Sequence, residues 1–504
     1  MLPFVGGHLC DVFGAARCLV VFAILLTAGQ ALFAFGVSVS SVPVLLLGRV
    51  VFGLGGENMT VALSTLLAEW FRGKEMAFAM GLFVALARLG SVFNNFASPP
   101  IAKAASVSAA VWFGDILLAT GVAATCIVMW AERIVAKQIR RGAVASVQGV
   151  GPGALGASLI AVGTACDDPT AGSEAEAAAQ KAAAQRAAAE APPQPSPLAG
   201  MKRFRLSFWL ITICCLAVYG CVLPFNNVAS SLLMERSYFR PSPHGCTLAD
   251  PSRCQAADNP PDASRGKCPS GADRGSYAPP LPSNATVGGV TYAPLLPSDI
   301  DCTNNAWSAA GACTHGFCSA QDKAAAQAAA VMSTPYVISA ISSPFLGFAI
   351  DRCGGRALIS ALTPLILIAA HLALAYAAST DPMLPLLGQG VAYSVFGAAL
   401  WPSVPLTVPA EFEGLAYGLV TAVQNAGLGV FPLLVSSVYA ASGERYLPNV
   451  ELLLVGFAAV GLLAGAALQL YDATHGHLLN RKLGPPPAPL EVTTAAAATP
   501  LAIE

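Results

Sequence analysis

Long apolar runs separated by short polar stretches make up most of this chain, and they predict membrane-spanning helices. A helix rises 1.5 Å per residue, so about 20 mostly apolar residues cross a hydrocarbon core of about 30 Å. Ten runs meet that length. They lie at 18–38, 43–66, 77–100, 109–131, 206–233, 324–350, 357–379, 383–409, 415–440 and 448–471.

Composition supports the same fold class. Of the 504 residues, 55% are hydrophobic and only 11% are charged, whereas soluble domains carry roughly 25% charged residues. The chain has 27 Lys and Arg against 28 Asp and Glu, so no basic excess points to a nucleic-acid partner. The sequence therefore predicts an all-α membrane protein whose solvent is the lipid bilayer.

Three polar stretches divide the chain. Residues 142–200 are rich in Ala, Gly, Gln and Pro and predict a low-complexity linker, and residues 473–504 predict a disordered tail. Four spans then belong to an N-terminal bundle at 1–141, and six belong to a C-terminal bundle at 201–472. Residues 1–6 look like the last turn of an earlier helix, so we expect a six-plus-six layout that lacks its first helix and most of its second.

The third polar stretch, at 235–322, predicts the orientation. Lys and Arg concentrate in the short loops on the opposite side, which therefore faces the cytoplasm together with the linker and the C-terminus. The 235–322 loop then faces a lumen or the outside. Its six cysteines suit an oxidising compartment and allow up to three disulfides. Asn284 opens an Asn-Ala-Thr glycosylation sequon in the same loop.

A G-x-x-x-D motif occurs twice, each time on the predicted cytoplasmic side between two spans. The first copy is Gly7, Asp11, Gly14 and Arg17, and the second is Gly347, Asp351, Gly354 and Arg356. Glycine permits a tight turn and close helix contact, and an Asp can lie at a helix N-terminus. Because internal repeats are how many transporters are built, two equivalent copies indicate a transporter.

Two opposite charges lie at one predicted depth. Glu57 and Arg88, on consecutive spans, both fall about 15–18 Å from the cytoplasmic side, near the bilayer centre. Ionisable groups there face a cavity rather than lipid. We expect them to pair in an empty site and to exchange with a zwitterion, whose carboxylate would bind Arg88 and whose amine would bind Glu57.

The second half shows no comparable charges inside its spans. It offers Tyr393, Trp401, Gln424 and Asn425. Prolines next to Trp401 should kink its helix, and we expect the Trp401 ring to cover the cavity as an apolar wall with an indole donor. His371 fits a helix-packing residue and receives no role. We find no metal cluster, no cofactor motif and no nucleophile–base constellation in the sequence, so we expect neither a cofactor nor an enzyme.

Longer strings narrow the family. GRVVFGLGGENMTVALST and ARLGSVFNN in the first half, with YSVFGAALWPSVPLTVPAEFEGLAYGL in the second, resemble the lysosomal dipeptide-transporter branch of the major facilitator superfamily. The resemblance implies two six-helix bundles and a uniporter that releases dipeptides from lysosomes. It also implies a glycosylated single-span accessory subunit, which the large Cys-rich loop puts in question.

The same resemblance assigns residues. It implies gating roles for both G-x-x-x-D copies and for Arg49, which begins an R-x-x-x-G-x-G motif. It places Glu57, Arg88 and Trp401 where the family binds substrate. Asn58 and Asn95 lie in the matching strings, and together with Tyr393, Gln424 and Asn425 they complete the predicted binding set.

Two other functions stay open. One is a proton- or cation-coupled carrier of organic anions, nitrate or sugars on the same fold, with Glu57 as the proton carrier. The other is a non-transporting receptor whose Cys-rich loop binds partners, which the Glu57 and Arg88 charges argue against. A lysosomal or vacuolar membrane is expected, and the plasma membrane is the alternative location.

Overall fold

Helices account for most of the structure, a computed structural model that describes residues 2–71, 75–148, 197–241, 248–250, 255–256, 276–302 and 304–482. In the first half the helices are α1 (Leu2–Phe13), α2 (Ala15–Ser38), α3 (Val42–Phe71), α4 (Met76–Ala104) and α5 (Val107–Gln148). In the second half they are α6 (Pro197–Met201), α7 (Leu206–Leu233), α8 (Asn305–Ala309), α9 (Ala312–Met332), α10 (Thr334–Cys353), α11 (Arg356–Tyr376), α12 (Met383–Leu400), α13 (Glu413–Ala441) and α14 (Asn449–Thr474).

The predicted membrane helices are confirmed. Within the described ranges, 9 helices are long and apolar enough to cross a membrane, and each overlaps one predicted span. The remaining predicted span, 77–100, lies within α4. Large hydrophobic side chains such as Phe345 and Leu463 lie exposed on the outer faces, as expected for helices solvated by lipid.

Two predicted boundaries were wrong. The span expected at 324–350 begins earlier, because the Ala-rich stretch from Ala312 is a strong helix former although it is too polar to be read as membrane-spanning. The span expected at 383–409 ends as a helix at Leu400 and continues as a short 3-10 turn at Trp401–Ser403. The prolines at 402, 405 and 409 therefore end this helix rather than kink it.

Helix α7 forms the centre of the second half. It packs against α11, α12, α13 and α14, and the main hydrophobic core includes its side chains Phe208 and Phe225 with Phe396 of α12. In the first half, α2 packs along α3 and α5, and α1 packs against α2 and α3. Each half is thus a bundle with its own internal contacts.

The two halves touch through backbone-to-backbone contacts at two related places. Helix α1 meets α13, where a Cβ added to Gly7 would lie 2.0 Å from the carbonyl oxygen of Gly414. Helix α10 meets α4, where a Cβ on Gly347 would lie 2.2 Å from the carbonyl oxygen of Ala77. Only glycine permits either approach, so the repeated glycine of the G-x-x-x-D motif is a contact between halves.

The repeated aspartates seal these contacts. Asp11 accepts hydrogen bonds from the backbone N–H groups of Gly414 and Leu415, both at 2.7 Å, at the start of α13. Asp351 accepts from the N–H groups of Ala77 and Phe78, at 3.1 and 2.9 Å, at the start of α4. We call these the Asp11 latch and the Asp351 latch, and the end of the molecule that carries them the latch end.

The motif therefore differs from the expected loop. Gly7 and Asp11 lie inside α1, and Gly347 and Asp351 lie inside α10, where a helix can aim the carboxylate at its neighbour. These helices end only after the aspartates, where Gly14 has φ 89° and Gly354 has φ 73°.

The 235–322 loop folds in part into a small unit with its own core. Strands β3 (Ala285–Val287) and β4 (Val290–Tyr292) form an antiparallel hairpin, and Cys302 is joined to Cys318 by a disulfide. A second strand pair, β1 (Leu248–Asp250) with β2 (Gln255–Ala256), lies earlier in the loop. Asn284 is exposed beside β3. Cys246, Cys254 and Cys268 lie outside the described residues.

The predicted bounds of the linker and of the tail also differ from the structure. Helix α5 continues to Gln148 and α6 begins at Pro197, so residues 142–148 and 197–200 are helical; the linker between them lies outside the described residues. The tail predicted to be disordered from 473 is folded as far as 482, because Asp472 hydrogen-bonds the backbone of Leu479 and Asn480. Residues 483–504 are outside the described part.

We expect the close contact between α1 and α13 to tolerate no added methyl group. A Cβ at Gly418 would lie 2.3 Å from the carbonyl oxygen of Pro3, whereas a Cβ at Gly429 on the same helix meets nothing within 4 Å. Gly418→Ala should lower stability by about 1–3 kcal/mol through overpacking, measured as thermal unfolding in detergent. Gly429→Ala, the matched control, should be neutral or stabilise by about 0.5–1 kcal/mol. Equal unfolding temperatures would contradict the contact.

Candidate functional site

A cavity of about 310 Å³ lies between the two halves. Helices α3 and α4 supply one wall, and α7, α10, α12 and α13 supply the other. The residues facing it are mainly aromatic, small or hydroxyl-bearing, with one charged side chain: Thr60, Ser64, Met80, Gly81, Phe83, Val84, Ala87, Arg88, Tyr219, Leu223, Ser343, Tyr393, Ser394, Gly397, Ala398, Trp401 and Gln424. Its volume is at the lower end of the roughly 300–1,000 Å³ typical of small-molecule sites.

Arg88 is the charged group of this cavity. Its guanidinium carbon lies 4.8 Å from the ring centroid of Tyr393 and 5.5 Å from that of Tyr336, so two aromatic faces hold the cation. Its Nε is buried and has no hydrogen-bond partner among the described residues. A guanidinium with an unsatisfied buried donor can bind an anion, and a carboxylate matches its fork.

Trp401 is fixed at the cavity wall by two tyrosines. Its indole Nε1 donates to the hydroxyl of Tyr219 at 2.8 Å, and its backbone carbonyl accepts from the hydroxyl of Tyr417 at 3.1 Å. Tyr219 is buried and also contacts the ring of Tyr393 edge-on, with centroids 5.8 Å apart. The predicted apolar wall with an indole donor is present, but the donor is already used within the protein.

Glu57 does not pair with Arg88. Its Oε2 accepts a hydrogen bond of 2.8 Å from Asn425 Nδ2 of the other half, and among the ion pairs of the described residues none joins the two predicted charges. The expected pair is therefore absent from this conformation. Glu57 lies on the same face of α3 as Thr60 and Ser64, three and seven residues further on, so it stands next to the cavity wall.

Other predicted site residues lie elsewhere. Asn58 is buried against Gly6 of α1 and donates to the carbonyl of Leu54, away from the cavity. Arg49 is exposed and stacks on the ring of Phe33, with 3.7 Å to its centroid, within the first half. The side chain of Asn95 lies outside the described part of the structure. Gln424 faces the cavity and accepts a weak bond from Cys215 Sγ at 3.9 Å.

The second half contains a buried ionisable pair that the sequence analysis did not find. His371 Nδ1 lies 2.6 Å from Glu451 Oε2, and both side chains are fully buried between α11 and α14. Both lie near the end of the bundle opposite the latch end, since Glu451 is in the first turn of α14. The sequence does contain a signal for this pair, because an acid at the start of one span and a histidine near the end of another fall on the same side of the membrane.

The cavity residues missed from the sequence share one feature. They are Tyr219, Thr60 and Ser64. Each is a single polar group inside an apolar span, and such residues are common in helix packing as well as in binding sites. No group of three or more metal-ligating side chains occurs in the described ranges. The arrangement suits binding of a small organic anion by one cation among aromatic rings, between two halves held closed at the latch end.

Comparison with known proteins agrees with this architecture. The family model described as the Major Facilitator Superfamily matches residues 1–237 and 288–501. The "Lysosomal dipeptide transporter MFSD1" of Danio rerio is 25% identical over 476 residues, which cover 94% of this chain and 76% of the relative. The human protein of that name is 24% identical over 486 residues, covering 95% of this chain and 77% of its own length.

Solved structures show the same fold. The Escherichia coli fucose:proton symporter FucP aligns with a TM-score of 0.53 at 12% identity, covering 93% of this chain and 87% of that one. The human organic anion transporter MFSD10 aligns with a TM-score of 0.50 at 14% identity, covering 93% and 80%.

We expect the Trp401–Tyr219 hydrogen bond to stabilise the cavity wall. Tyr219→Phe leaves the buried indole N–H without its acceptor and should cost about 1–3 kcal/mol of unfolding free energy, measured by denaturation in detergent. Tyr393→Phe is the matched control. It also removes a hydroxyl from this cavity, but the Tyr393 hydroxyl makes no hydrogen bond among the described residues. Equal losses in the two variants would contradict the assignment.

Proposed function

Because the chain belongs to the Major Facilitator Superfamily, we propose that it is a facilitative transporter that carries dipeptides from a lysosomal or vacuolar lumen to the cytosol. It is a multi-pass membrane transporter and not an enzyme. The observation that carries the substrate proposal is Arg88, a cation set between Tyr393 and Tyr336 in the cavity between the halves. The names of the relatives support the same substrate class.

In this proposal Arg88 binds the substrate carboxylate. The guanidinium gains the partner that its buried Nε lacks, and the bond forms in a mostly apolar cavity where charge-assisted hydrogen bonds are strong. Trp401 and Tyr393 provide flat surfaces that accept many side chains, because aromatic contact depends little on the identity of an apolar group. Such a site suits a carrier of diverse dipeptides.

Glu57 binds the substrate amine by exchange. An incoming ammonium would replace the Asn425 amide at Glu57 Oε2, and a charged donor makes a stronger bond than a neutral amide. Because Asn425 belongs to the second half, this exchange removes a contact between halves as the substrate binds. Substrate binding and a change in the relative position of the halves are then one event.

Transport follows by alternating access. The latch end, proposed to be cytoplasmic, is closed by the Asp11 and Asp351 latches, so this conformation keeps the cavity sealed from that side. Releasing both aspartates from the starts of α13 and α4 would let the halves separate there. We propose uniport, because substrate alone supplies the exchange at Glu57.

The proposed orientation places the 235–322 loop in the lumen. Its disulfide and the exposed Asn284 sequon suit an oxidising, glycosylating compartment. On the family resemblance alone, we propose a glycosylated single-span accessory subunit as a partner on that side.

A second candidate function is a coupled carrier of organic anions, nitrate or sugars. The observation in its favour is that Arg88 is the charged residue facing the cavity, whereas the acid Glu57 is engaged by Asn425. A ligand with a carboxylate and no amine would leave that engagement intact.

Ligand-induced stabilisation separates these candidates. A ligand that binds the folded state raises the unfolding temperature, by an amount equivalent to about 2.7 kcal/mol at 100 times its dissociation constant. We expect dipeptides to stabilise the purified protein, and N-acetylated or C-amidated dipeptides to stabilise it less. Stabilisation by acetylated dipeptides equal to that by free ones would favour the organic-anion carrier, and stabilisation only by sugars or nitrate would overturn the substrate class.

Substitutions at the two charges test the binding mode. Arg88→Lys keeps the charge but loses the planar fork, and Glu57→Gln removes the charge that binds the amine. Hydrogen bonds between charged groups contribute about 1.5–3 kcal/mol, so each variant should bind dipeptides roughly 10- to 150-fold more weakly. The measurement is binding or liposome uptake at saturating and limiting dipeptide. Arg445→Lys, in the exposed turn before α14, is the control, and normal uptake by Arg88→Lys would contradict the site.

A further inference from the structure

The chain beyond α14 folds back onto the latch end as a short strap, residues 475–482. Gly476 and His477 take positive φ values of 97° and 55° and reverse the chain direction. Both carboxylate oxygens of Asp472 then accept backbone N–H groups of the strap, from Leu479 at 2.8 Å and from Asn480 at 3.1 Å. Leu479 is fully buried in the main core. Asp472 therefore holds the strap in one fixed position.

The strap in turn caps the start of α11. The carbonyl oxygens of Leu479 and Asn480 accept from the N–H groups of Arg356 and Gly355, each at 3.3 Å, and Asn480 Oδ1 accepts from the N–H of Leu358 at 3.3 Å. The first N–H groups of a helix have no partner within the helix. Here the strap provides those partners, so the position of the α11 N-terminus depends on it.

Arg356, the first residue of α11, connects the strap to the contact between halves. Its Nη2 donates to Asp351 Oδ1 at 2.8 Å, and both side chains are buried. Asp351 is the carboxylate that binds the N-terminus of α4 in the other half. The order of contacts is therefore Asp472, strap, α11 N-terminus with Arg356, Asp351 and finally α4.

Within the part of the chain that the structure describes, the Asp11 latch shows no corresponding support. A Cβ on Gly354 would lie 2.6 Å from the strap oxygen of Asn480, whereas a Cβ on Gly14, the equivalent glycine, meets nothing within 4 Å. Arg17 is exposed, and no ion pair of the described residues includes it. The two latches thus have related geometry but different surroundings.

We propose that Asp472 and Asn480 are positioning residues for transport: through the strap they hold Arg356 and Asp351 in place and so favour the conformation closed at the latch end. This inference rests on the proposed function, because a latch affects transport only if the halves separate. Loosening the strap should weaken the Asp351 latch without touching the cavity, and it should raise the fraction of molecules open at the latch end.

Hydrogen–deuterium exchange of the full chain in detergent, without substrate, measures how often the Asp351 latch opens. The amides of Ala77 and Phe78 report the Asp351 latch, and amides of α7 report global unfolding. In Asp472→Asn, which loses one of the two backbone acceptors, and in Gly354→Ala, exchange at Ala77 and Phe78 should rise about 2- to 10-fold while α7 is unchanged. Gly443→Ala, just beyond α13 and outside the G-x-x-x-D motif, also imposes positive-φ strain with nothing within 4 Å of the added Cβ, and should leave Ala77 and Phe78 as in the parent.

Each other outcome contradicts the proposal. Faster exchange in the strap amides with no change at Ala77 and Phe78 would show that the strap loosens without affecting the latch. Equal increases at α7 would show a purely structural role. Asn480→Ala removes the side-chain cap on Leu358 and the hydrogen bond from Asn480 Nδ2 to Gln469 Oε1 but keeps both Asp472 acceptors, so it gives a milder variant if Asp472→Asn fails to fold. Since no substrate is present, a failed dipeptide assignment would leave this result unchanged.

Discussion

The structure depends on carboxylates that bind the beginnings of helices in the opposite half. A helix N-terminus carries unpaired N–H groups and a partial positive charge, and inside a membrane protein little water is available to satisfy them. Asp11 and Asp351 supply the missing acceptors from across the interface. Each half thus has helix N–H groups that a carboxylate of the other half satisfies. These hydrogen bonds form in only one relative position of the halves, and a two-state carrier requires such a position-dependent contact.

The glycines beside these aspartates explain why so small a contact is selective. Gly7 and Gly347 let backbones touch, so the aspartates reach their amides only when the helices are at their closest approach. A displacement large enough to admit a side chain would break the hydrogen bonds as well. The closed state is therefore defined by short-range geometry rather than by long-range charge attraction, and packed interfaces of this kind switch between discrete arrangements instead of deforming gradually.

The sequence predicted the fold well because membrane helices follow from length and hydrophobicity alone. Nine of the predicted spans overlap described membrane helices, and the family expectation is confirmed. Arg88, Tyr393, Trp401 and Gln424 line one cavity, and their role in binding substrate stays a prediction. The expected Glu57–Arg88 pair is absent because depth in the bilayer does not determine how a helix is rotated about its axis. Both residues lie at a similar predicted depth, but the Glu57 side chain hydrogen-bonds Asn425 instead. Periodicity within a nearly all-apolar helix does not fix which face meets which neighbour. The sequence therefore did not show that Asn58 packs against Gly6 or that the helix-packing residue His371 pairs with Glu451.

The 235–322 loop and the latch end are connected by one continuous pair of helices. Helices α9 and α10 follow each other from Ala312 to Cys353 with a single break at Ser333, giving a rod of about 60 Å at 1.5 Å per residue. Cys318 ties one end of this rod into the disulfide-linked loop, and Asp351 lies at the other end, against α4. A partner that bound the disulfide-linked loop would therefore contact the same pair of helices that carries Asp351 to α4 at the latch end.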